Sequence, residues 1–233
     1  MVARGDLGVE IPIERVPSVQ KMIINKCHAT GKISIVATEM MASMTNEIRP
    51  TRAEVSDVAN AVLDGCDAVM LSGETTVGKY PVETLTMMAR IIASTEANID
   101  YLGFLDKAYR TEKDNITGLI AYSVADAASR LKAKAIVTPT ISGSTARKIS
   151  RFRPNCLILA ASPDLKTIKS LNLNFGVVPI YLDELNSLDK IMTKVVELAK
   201  KRFNLEPDDK IIITGSYPFK EHMETNFMQI TKI

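Results

Sequence analysis

Three groups of polar residues in the first third of the sequence each follow a short apolar run: residues 4–6, 38–39 and 72–75. If the apolar runs form parallel strands, these groups meet at the edge of the sheet where ligands bind. Arg4 would supply a guanidinium, Gly5 a backbone without a side chain, and Asp6 a carboxylate. Because Mg²⁺ takes one or two carboxylates together with ligand oxygens, the pattern indicates an anionic small molecule beside a hard cation held by Asp6. Alternatively, Asp6 and Glu74 are acidic residues that favour helix N-termini.

A second group, rich in hydroxyls, follows a later apolar run: Thr140, Ser142, Gly143, Ser144 and Thr145. Hydroxyls and a glycine between a strand and a helix can form a phosphate-binding loop, because the end amides and the dipole of the helix both attract an anion. The spacing is not that of a Walker A loop. In the alternative interpretation these residues are an ordinary Ser/Thr cap for a solvated basic helix that contains Arg147.

The elements that must position the first group alternate between strand and helix. Short β-branched runs begin near residues 1, 33 and 67, at intervals of about 33 residues, which is compatible with a (β/α)₈ barrel or a doubly wound sheet. Gly31 predicts the end of the first helix, Thr51 and Glu54 form a capping-box pattern at the start of the second, and Pro81 opens the third. Four apolar residues predict the buried face of the second helix: Val55, Val58, Ala59 and Val62.

The polar stretch from residue 96 to residue 114 interrupts this alternation and predicts a domain boundary without regular structure, with domains at 1–96 and 97–233. Beyond it, six apolar residues predict the buried face of a helix: Ile116, Leu119, Ile120, Val124, Ala127 and Leu131. Apolar runs predict strands near residues 135–138, 156–160, 177–181, 210–215 and 226–230, with the last two paired. We therefore expect a small three-layer α/β/α domain with a mostly parallel sheet.

Composition narrows the classes of protein. The 233 residues carry 29 Lys and Arg against 27 Asp and Glu, and no long run of like charge indicates a nucleic-acid or membrane partner. The three cysteines are too few for a disulfide framework, and the first residues do not form a signal peptide. We expect a cytoplasmic protein with reduced thiols. Five methionines are predicted to fill the core: Met40, Met41, Met44, Met87 and Met88.

Four segments of the sequence closely resemble pyruvate kinases, in the same order and at the same spacing: residues 1–10, 37–41, 49–61 and 67–75. The resemblance implies the last three βα units of a (β/α)₈ barrel at 1–96 and a C-terminal regulatory α/β domain at 97–233. It also implies phosphoryl transfer from phosphoenolpyruvate to ADP in glycolysis, with Mg²⁺ or Mn²⁺ and K⁺ as cofactors, by a homotetrameric enzyme.

The resemblance also implies roles for individual residues. Asp6 is similar to the Mg²⁺ ligand, and the backbone amides around Gly5 and Asp6 are similar to those that meet the substrate carboxylate. Thr38 resembles the hydroxyl beside the enolate carbon that gains a proton. The loop from Thr140 to Thr145 resembles the site of a phosphorylated effector, although its companion loop at 216–224 lacks the glycines of relatives that bind fructose 1,6-bisphosphate.

The resemblance covers the whole chain but only part of a pyruvate kinase. The lysine beside the transferred phosphoryl group, the second Mg²⁺ carboxylate, the K⁺ ligands and most ADP contacts belong to parts of the family's fold that this chain lacks. We therefore expect the isolated chain to be inactive, and its three barrel strands to be partly disordered or to self-associate. A second hypothesis is that the chain is a stand-alone module for phosphate binding, regulation and oligomerisation.

Overall fold

The computed structural model describes residues 1–109, 115–183, 188–218 and 224–233. They form two compact units, Met1–Ile99 and Asp100–Ile233, whereas the sequence suggested a division after residue 96. Across these described segments, no helix is both long enough and apolar enough to cross a membrane.

The first unit contains three short parallel strands that alternate with helices, as the sequence predicted. The strands are β1 (Val2–Ala3), β2 (Ile35–Ala37) and β3 (Ala68–Met70), in that order across the sheet. Val36 of β2 lies between Val2 of β1 and Val69 of β3. The helices are α1 (Arg4–Glu10), α2 (Val16–Thr30), α3 (Arg52–Leu63), α4 (Gly73–Thr76) and α5 (Pro81–Glu96), with 3₁₀ turns at Ile13–Arg15 and Ala42–Thr45.

The helix signals in this unit are confirmed. Gly31 ends α2 with a left-handed φ of 66°, a conformation that glycine adopts without steric cost. Thr51 and Glu54 form both hydrogen bonds of the capping box at the start of α3, and Pro81 is the first residue of α5. These local signals therefore locate the helices that follow each strand.

The core of the first unit lies between the sheet and its helices. The four methionines Met40, Met41, Met44 and Met88 are buried there, and Met87 packs against them, which confirms the predicted role of these residues. The predicted face of α3 is only partly right, because Val55 remains 36% exposed. The buried face of α3 is centred instead on Val58, Ala61 and Val62.

The second unit contains a five-stranded sheet in the order β6-β5-β4-β7-β8. The strands are β4 (Ala135–Pro139), β5 (Leu157–Ser162), β6 (Val177–Tyr181), β7 (Lys210–Gly215) and β8 (Phe227–Lys232). All neighbours are parallel except β7 and β8, which pair with each other as predicted and run antiparallel. The helices are α6 (Tyr101–Tyr109), α7 (Ile116–Leu131), α8 (Ser144–Arg151), α9 (Leu165–Leu171) and α10 (Leu188–Phe203).

Successive residues of the central strands serve two different cores. Ile136 of β4 packs in one cluster with Val124 of α7 and Ile149 of α8. Val137, the next residue, packs in another cluster with Ile191 and Val195 of α10. Because alternate side chains of a strand point to opposite faces, helices cover both faces of this sheet, which confirms the predicted three-layer architecture.

One expectation for the second unit is wrong, and another is only partly right. The stretch expected to be irregular contains α6, which buries Leu105 and Ala108 against the core. The predicted face of α7 is only partly right: Val124 is buried, and Ile120 and Ala127 pack against the core, whereas Ile116 is 60% exposed and Leu119 53% exposed. The other buried residues of α7 are small: Gly118, Ala121, Ala125 and Ala128. Small side chains let a helix lie close to its neighbours, and a hydrophobic periodicity that favours large side chains does not detect them.

Candidate functional site

The first candidate site is formed where β1 and β2 end. Helix α1 begins directly after β1, so Gly5 and Asp6 lie in its first turn rather than in the loop expected from the sequence. The backbone N–H of Gly5 donates a hydrogen bond to Thr38 Oγ1 at 2.9 Å. The structure therefore brings together Gly5 and Thr38, which are 33 residues apart in sequence, with the exposed carboxylate of Asp6 next along the helix.

Thr38 adopts an unusual backbone conformation directly after β2. Its φ is 71°, and that of Glu39 is 53°, which places two consecutive residues with side chains in the left-handed region. This conformation is costly for a β-branched residue. The Thr38 hydroxyl accepts the Gly5 hydrogen bond and donates its own proton to the Ala37 carbonyl at 2.6 Å. Both hydrogen-bonding directions of this hydroxyl are therefore occupied.

The Arg4 guanidinium is engaged by the protein itself. Its Nη2 donates to the Thr38 carbonyl at 2.7 Å and to the Glu39 carbonyl at 3.1 Å. Its Nη1 forms an ion pair with Asp57 Oδ2 of α3 at 2.5 Å. The sequence offered Arg4 as a possible anion ligand, but the side chain points instead at the segment that follows β2.

Glu74 is also turned into the protein, in the first turn of α4. It is 3% exposed, and its two carboxylate oxygens accept hydrogen bonds from the Met41 N–H at 3.1 Å and the Ser72 N–H at 2.8 Å. It therefore links the segment after β2 to the segment after β3. The sequence suggested that residues 72–75 lie among the ligand-binding groups at the edge of the sheet, but the Glu74 side chain is buried instead.

Glu54 stabilises the same segment further along the chain. Its carboxylate accepts hydrogen bonds from the N–H and the hydroxyl of Ser43, at 2.7 and 2.5 Å, in addition to those from Thr51. Burial acts to raise the pKa of Glu54, while the hydrogen bonds from Ser43 and Thr51 lower it, and the resulting pKa is below the ordinary value of a glutamate. The ionised form is therefore the one that holds the segment.

The first site offers a cation only a small set of ligands. Within the part of the chain that the structure describes, no three His, Cys, Asp or Glu side chains cluster closely enough to hold a metal ion. Asp6 is an exposed carboxylate in the helix that directly follows β1. One protein carboxylate fits Mg²⁺ when the remaining ligands are substrate oxygens, water or groups from outside the described residues.

The second candidate site lies between β4 and α8. Gly143 precedes α8 with a left-handed φ of 79°, and its N–H donates to Thr140 Oγ1 at 3.0 Å. Ser142 and Ser144 are exposed. The buried hydroxyl of Thr145 pairs with that of Thr225 at 2.7 Å. The five predicted residues therefore lie in the loop before α8 and in the first turn of α8. Thr140 and Thr145 have structural partners, and the two serines face solvent.

Two further features of this loop were not anticipated. Arg147 donates to the Ser142 carbonyl and to Ser170 Oγ, both at 2.9 Å, and so braces the loop against α9. Thr225 supplies the buried partner of Thr145 from 80 residues away. Sequence spacing carries no signal for such a distant contact. The predicted companion loop at 216–224 lies largely outside the described residues, because 219–223 are not among them.

Comparison with known proteins agrees with this architecture. The family profile of the pyruvate kinase barrel domain matches residues 1–85, and that of the pyruvate kinase alpha/beta domain matches residues 119–231. A pyruvate kinase from Clostridium acetobutylicum is 44% identical over 230 residues, which are 99% of this chain and 49% of that relative. A pyruvate kinase from Clostridium perfringens is 45% identical over 235 residues, which are 100% of this chain and 50% of that relative.

A solved structure gives the same result. The crystal structure of a pyruvate kinase from Cryptosporidium parvum matches this chain with a TM-score of 0.92 and 37% sequence identity. The match covers 99% of this chain and 46% of the Cryptosporidium parvum chain. Fold and sequence thus define βα barrel units followed by the α/β domain of a phosphotransferase family. The chain belongs to the pyruvate kinase family. It spans about half the length of the curated relatives named above.

Proposed function

We propose that this chain contributes part of the active site of an enzyme that transfers a phosphoryl group from phosphoenolpyruvate to ADP, giving pyruvate and ATP. The observation that carries the proposal is the approach of Gly5 to Thr38 at the ends of two parallel strands, with Asp6 next to Gly5 in the first turn of α1. Residues 1–96 would form the catalytic part and residues 97–233 the regulatory domain. Since most contacts to ADP and K⁺ belong to parts of the fold that this chain lacks, the isolated chain would be inactive.

Asp6 would hold Mg²⁺ or Mn²⁺, which neutralises charge on the transferring phosphoryl group when bound. The backbone amides around Gly5 and Asp6 would bind the substrate carboxylate. The Gly5 N–H already donates to Thr38, so a carboxylate that takes this N–H releases the Thr38 oxygen. The Thr38 hydroxyl would then turn from the Ala37 carbonyl toward the enolate carbon that gains a proton.

The experiment that tests this function uses a chimaera in which this chain replaces the matching portion of the Clostridium acetobutylicum relative. We expect pyruvate formation by the chimaera and a loss of at least about a hundredfold in kcat for Asp6→Asn and for Thr38→Ala. Lys21→Met is the matched control, because it removes a charge in the same unit whose ion-pair partner is Asp64, not Asp6 or Thr38. A folded chimaera without activity, or with full activity in both variants, would contradict the proposal.

The second unit would bind a phosphorylated metabolite at the loop from Thr140 to Thr145, within a cytoplasmic homotetramer that binds neither nucleic acid nor a membrane. The loop supports this assignment, because exposed hydroxyls lie at the N-terminus of α8, where a helix dipole favours an anion. A second candidate function rests on the same loop: a stand-alone regulatory and oligomerisation module. The five-stranded sheet, covered on both faces, favours an independently folded second unit.

Calorimetry tests effector binding on the 233-residue chain. We expect at least one of fructose 1,6-bisphosphate, ribose 5-phosphate and AMP to bind, and Ser144→Glu to abolish binding by placing a negative charge at the site. Ser94→Glu, at an exposed serine of α5 in the first unit, is the control and should leave binding unchanged. The effector role is refuted if none of the three binds, or if Ser144→Glu binds as well as the wild type.

A further inference from the structure

The segment after β2 carries Thr38 in a conformation that its own sequence does not favour. Thr38 and Glu39 have φ values of 71° and 53°, and neither is a glycine or an asparagine, the residues that adopt this region most readily. Such a backbone persists only where its surroundings hold it. The side chains that hold this segment are therefore the ones that determine where the Thr38 hydroxyl lies.

Arg4 holds the segment from the side of β1. Its Nε and Nη2 donate to the Thr38 carbonyl at 3.2 and 2.7 Å, and Nη2 also reaches the Glu39 carbonyl. The guanidinium is itself fixed by the ion pair with Asp57, and the Arg4 side chain is 12% exposed. Arg4 immediately precedes Gly5, whose N–H donates to Thr38 Oγ1. Neighbouring residues thus fix both the backbone and the hydroxyl of Thr38.

Glu74 holds the segment from the side of β3. One carboxylate oxygen accepts from the Met41 N–H, and the other accepts from the N–H of Ser72, the residue just before α4. Because Glu74 is 3% exposed, water does not compete strongly for these bonds. The Arg4 guanidinium therefore binds the carbonyls of residues 38 and 39, and the Glu74 carboxylate binds the N–H of residue 41. The two side chains approach from opposite sides of β2.

We propose that Arg4 and Glu74 are positioning residues that together hold the Thr38 hydroxyl against the first turn of α1, where Asp6 lies. The effect of this arrangement on catalysis rests on the proposed function, whereas its effect on the position of Thr38 does not. Arginine suits the task because its planar fork reaches two carbonyls and a carboxylate at once, which the single ammonium of lysine does not match.

NMR spectroscopy on the full chain tests the geometric part. The signature is the set of Thr38 Cα and Cβ shifts, which report the left-handed backbone, together with hydrogen exchange of the Gly5 amide. We expect Arg4→Met and Glu74→Gln each to move the Thr38 shifts toward extended values and to speed Gly5 exchange by about fivefold or more. Exchange at Val36, inside β2, should stay at the wild-type rate. Lys21→Met should leave the whole signature unchanged.

Two further variants decide the outcome if Arg4→Met does not fold. Asp57→Asn leaves Arg4 in place but weakens its anchor and should shift the signature in the same direction. Arg4→Lys keeps the positive charge but lacks the planar guanidinium, and it should not give the wild-type NMR signature. The proposal is overturned if Arg4→Lys gives the wild-type signature, or if Asp57→Asn and Glu74→Gln both leave it unchanged.

Kinetics of the chimaera test the catalytic part. Arg4→Lys and Glu74→Gln should lower kcat by about tenfold or more, with KM for phosphoenolpyruvate within about twofold of the unmutated chimaera. An unchanged kcat in a variant whose NMR signature has moved refutes the positioning role. An inactive parent chimaera refutes the proposed function instead, and the NMR result then still decides whether Arg4 and Glu74 hold Thr38.

Discussion

Thr38 is the residue at which conformation and proposed chemistry are most closely connected. Its left-handed backbone costs stability, and its hydroxyl makes two hydrogen bonds. We predict that Thr38→Val lowers the free energy of unfolding by about 1 kcal/mol, since it keeps the strain and loses the hydrogen bonds. Thr38→Gly should be within about 0.5 kcal/mol of the wild type, because relief of the strain offsets the same loss.

Urea unfolding followed by circular dichroism measures both variants. The difference in free energy of unfolding between the two variants matters more than either value alone. Both variants lack the hydroxyl, and only glycine relieves the strain of the left-handed backbone. If Thr38→Gly is less stable than Thr38→Val, the left-handed conformation carries no cost and the segment needs no external support.

At this scale the sequence predicted which residues meet but not how they are held. Gly5, Asp6 and Thr38 could be selected because each follows an apolar run, and parallel strands bring such positions to one edge. The roles of Arg4 and Glu74 were hidden, because both depend on the left-handed turn after β2. The sequence alone does not show whether an arginine is free to bind a ligand or is hydrogen-bonded to the backbone of the protein itself.

Among the elements, α3 has an N-terminal capping box whose contribution to stability should depend on pH, because Glu54 is part of it. The ionised Glu54 bonds Ser43 and Thr51, and its pKa in the folded protein lies below the ordinary value. A glutamate with a lowered folded-state pKa stabilises the protein above its unfolded-state pKa of about 4.3. That contribution is lost as the pH falls through the folded-state pKa.

We predict that Glu54→Gln is less stable than the wild type by about 1 kcal/mol at pH 7, and that the difference shrinks as the pH falls below about 4. Urea unfolding at a series of pH values measures this difference. Thr51→Ala is the companion variant, which removes the neutral half of the capping box. A wild-type advantage that stays constant from pH 7 to pH 3 would show that ionisation of Glu54 is irrelevant to α3.

The loop before α8 depends on a glycine. Gly143 has a φ of 79°, and a Cβ at this position would lie 3.1 to 3.2 Å from side-chain atoms of Leu171 and Thr167. We predict that Gly143→Ala lowers the free energy of unfolding by about 1–2 kcal/mol and weakens phosphate binding in calorimetry. Gly8→Ala is the control, because nothing lies within 4 Å of a Cβ there. Equal stability of the two variants would contradict the assigned loop conformation.

Helices and strands were the best predicted features, with one instructive failure in each unit. Caps such as Thr51 and Pro81 are local signals, so the starts of α3 and α5 were found. The buried faces of α3 and α7 were only partly found, because the helix rotates toward whichever side chains fit its neighbours. Periodicity favours large apolar residues, whereas α7 buries alanines and a glycine.

At the scale of the whole molecule, the three-stranded sheet of the first unit has an edge strand on each side within the described residues. Within the described residues, β1 and β3 each pair with one neighbour, and Val82 and Leu85 of α5 are 71% and 60% exposed. We predict that the chain self-associates or that its first unit is partly disordered. Light scattering should give a mass above 25.6 kDa, or hydrogen exchange should be faster in the first unit. A monomer with both units equally protected would contradict this.

The most direct test of the proposed function is pyruvate formation from phosphoenolpyruvate and ADP by the purified 233-residue chain, with Mg²⁺ and K⁺ present. In our proposal, Asp6 and Thr38 belong to an active site that other parts of a pyruvate kinase complete. We therefore expect no turnover above the protein-free background for the chain alone, and turnover by the chimaera under the same conditions. Turnover by the chain alone that scales with its concentration and disappears in Thr38→Ala would contradict the proposal.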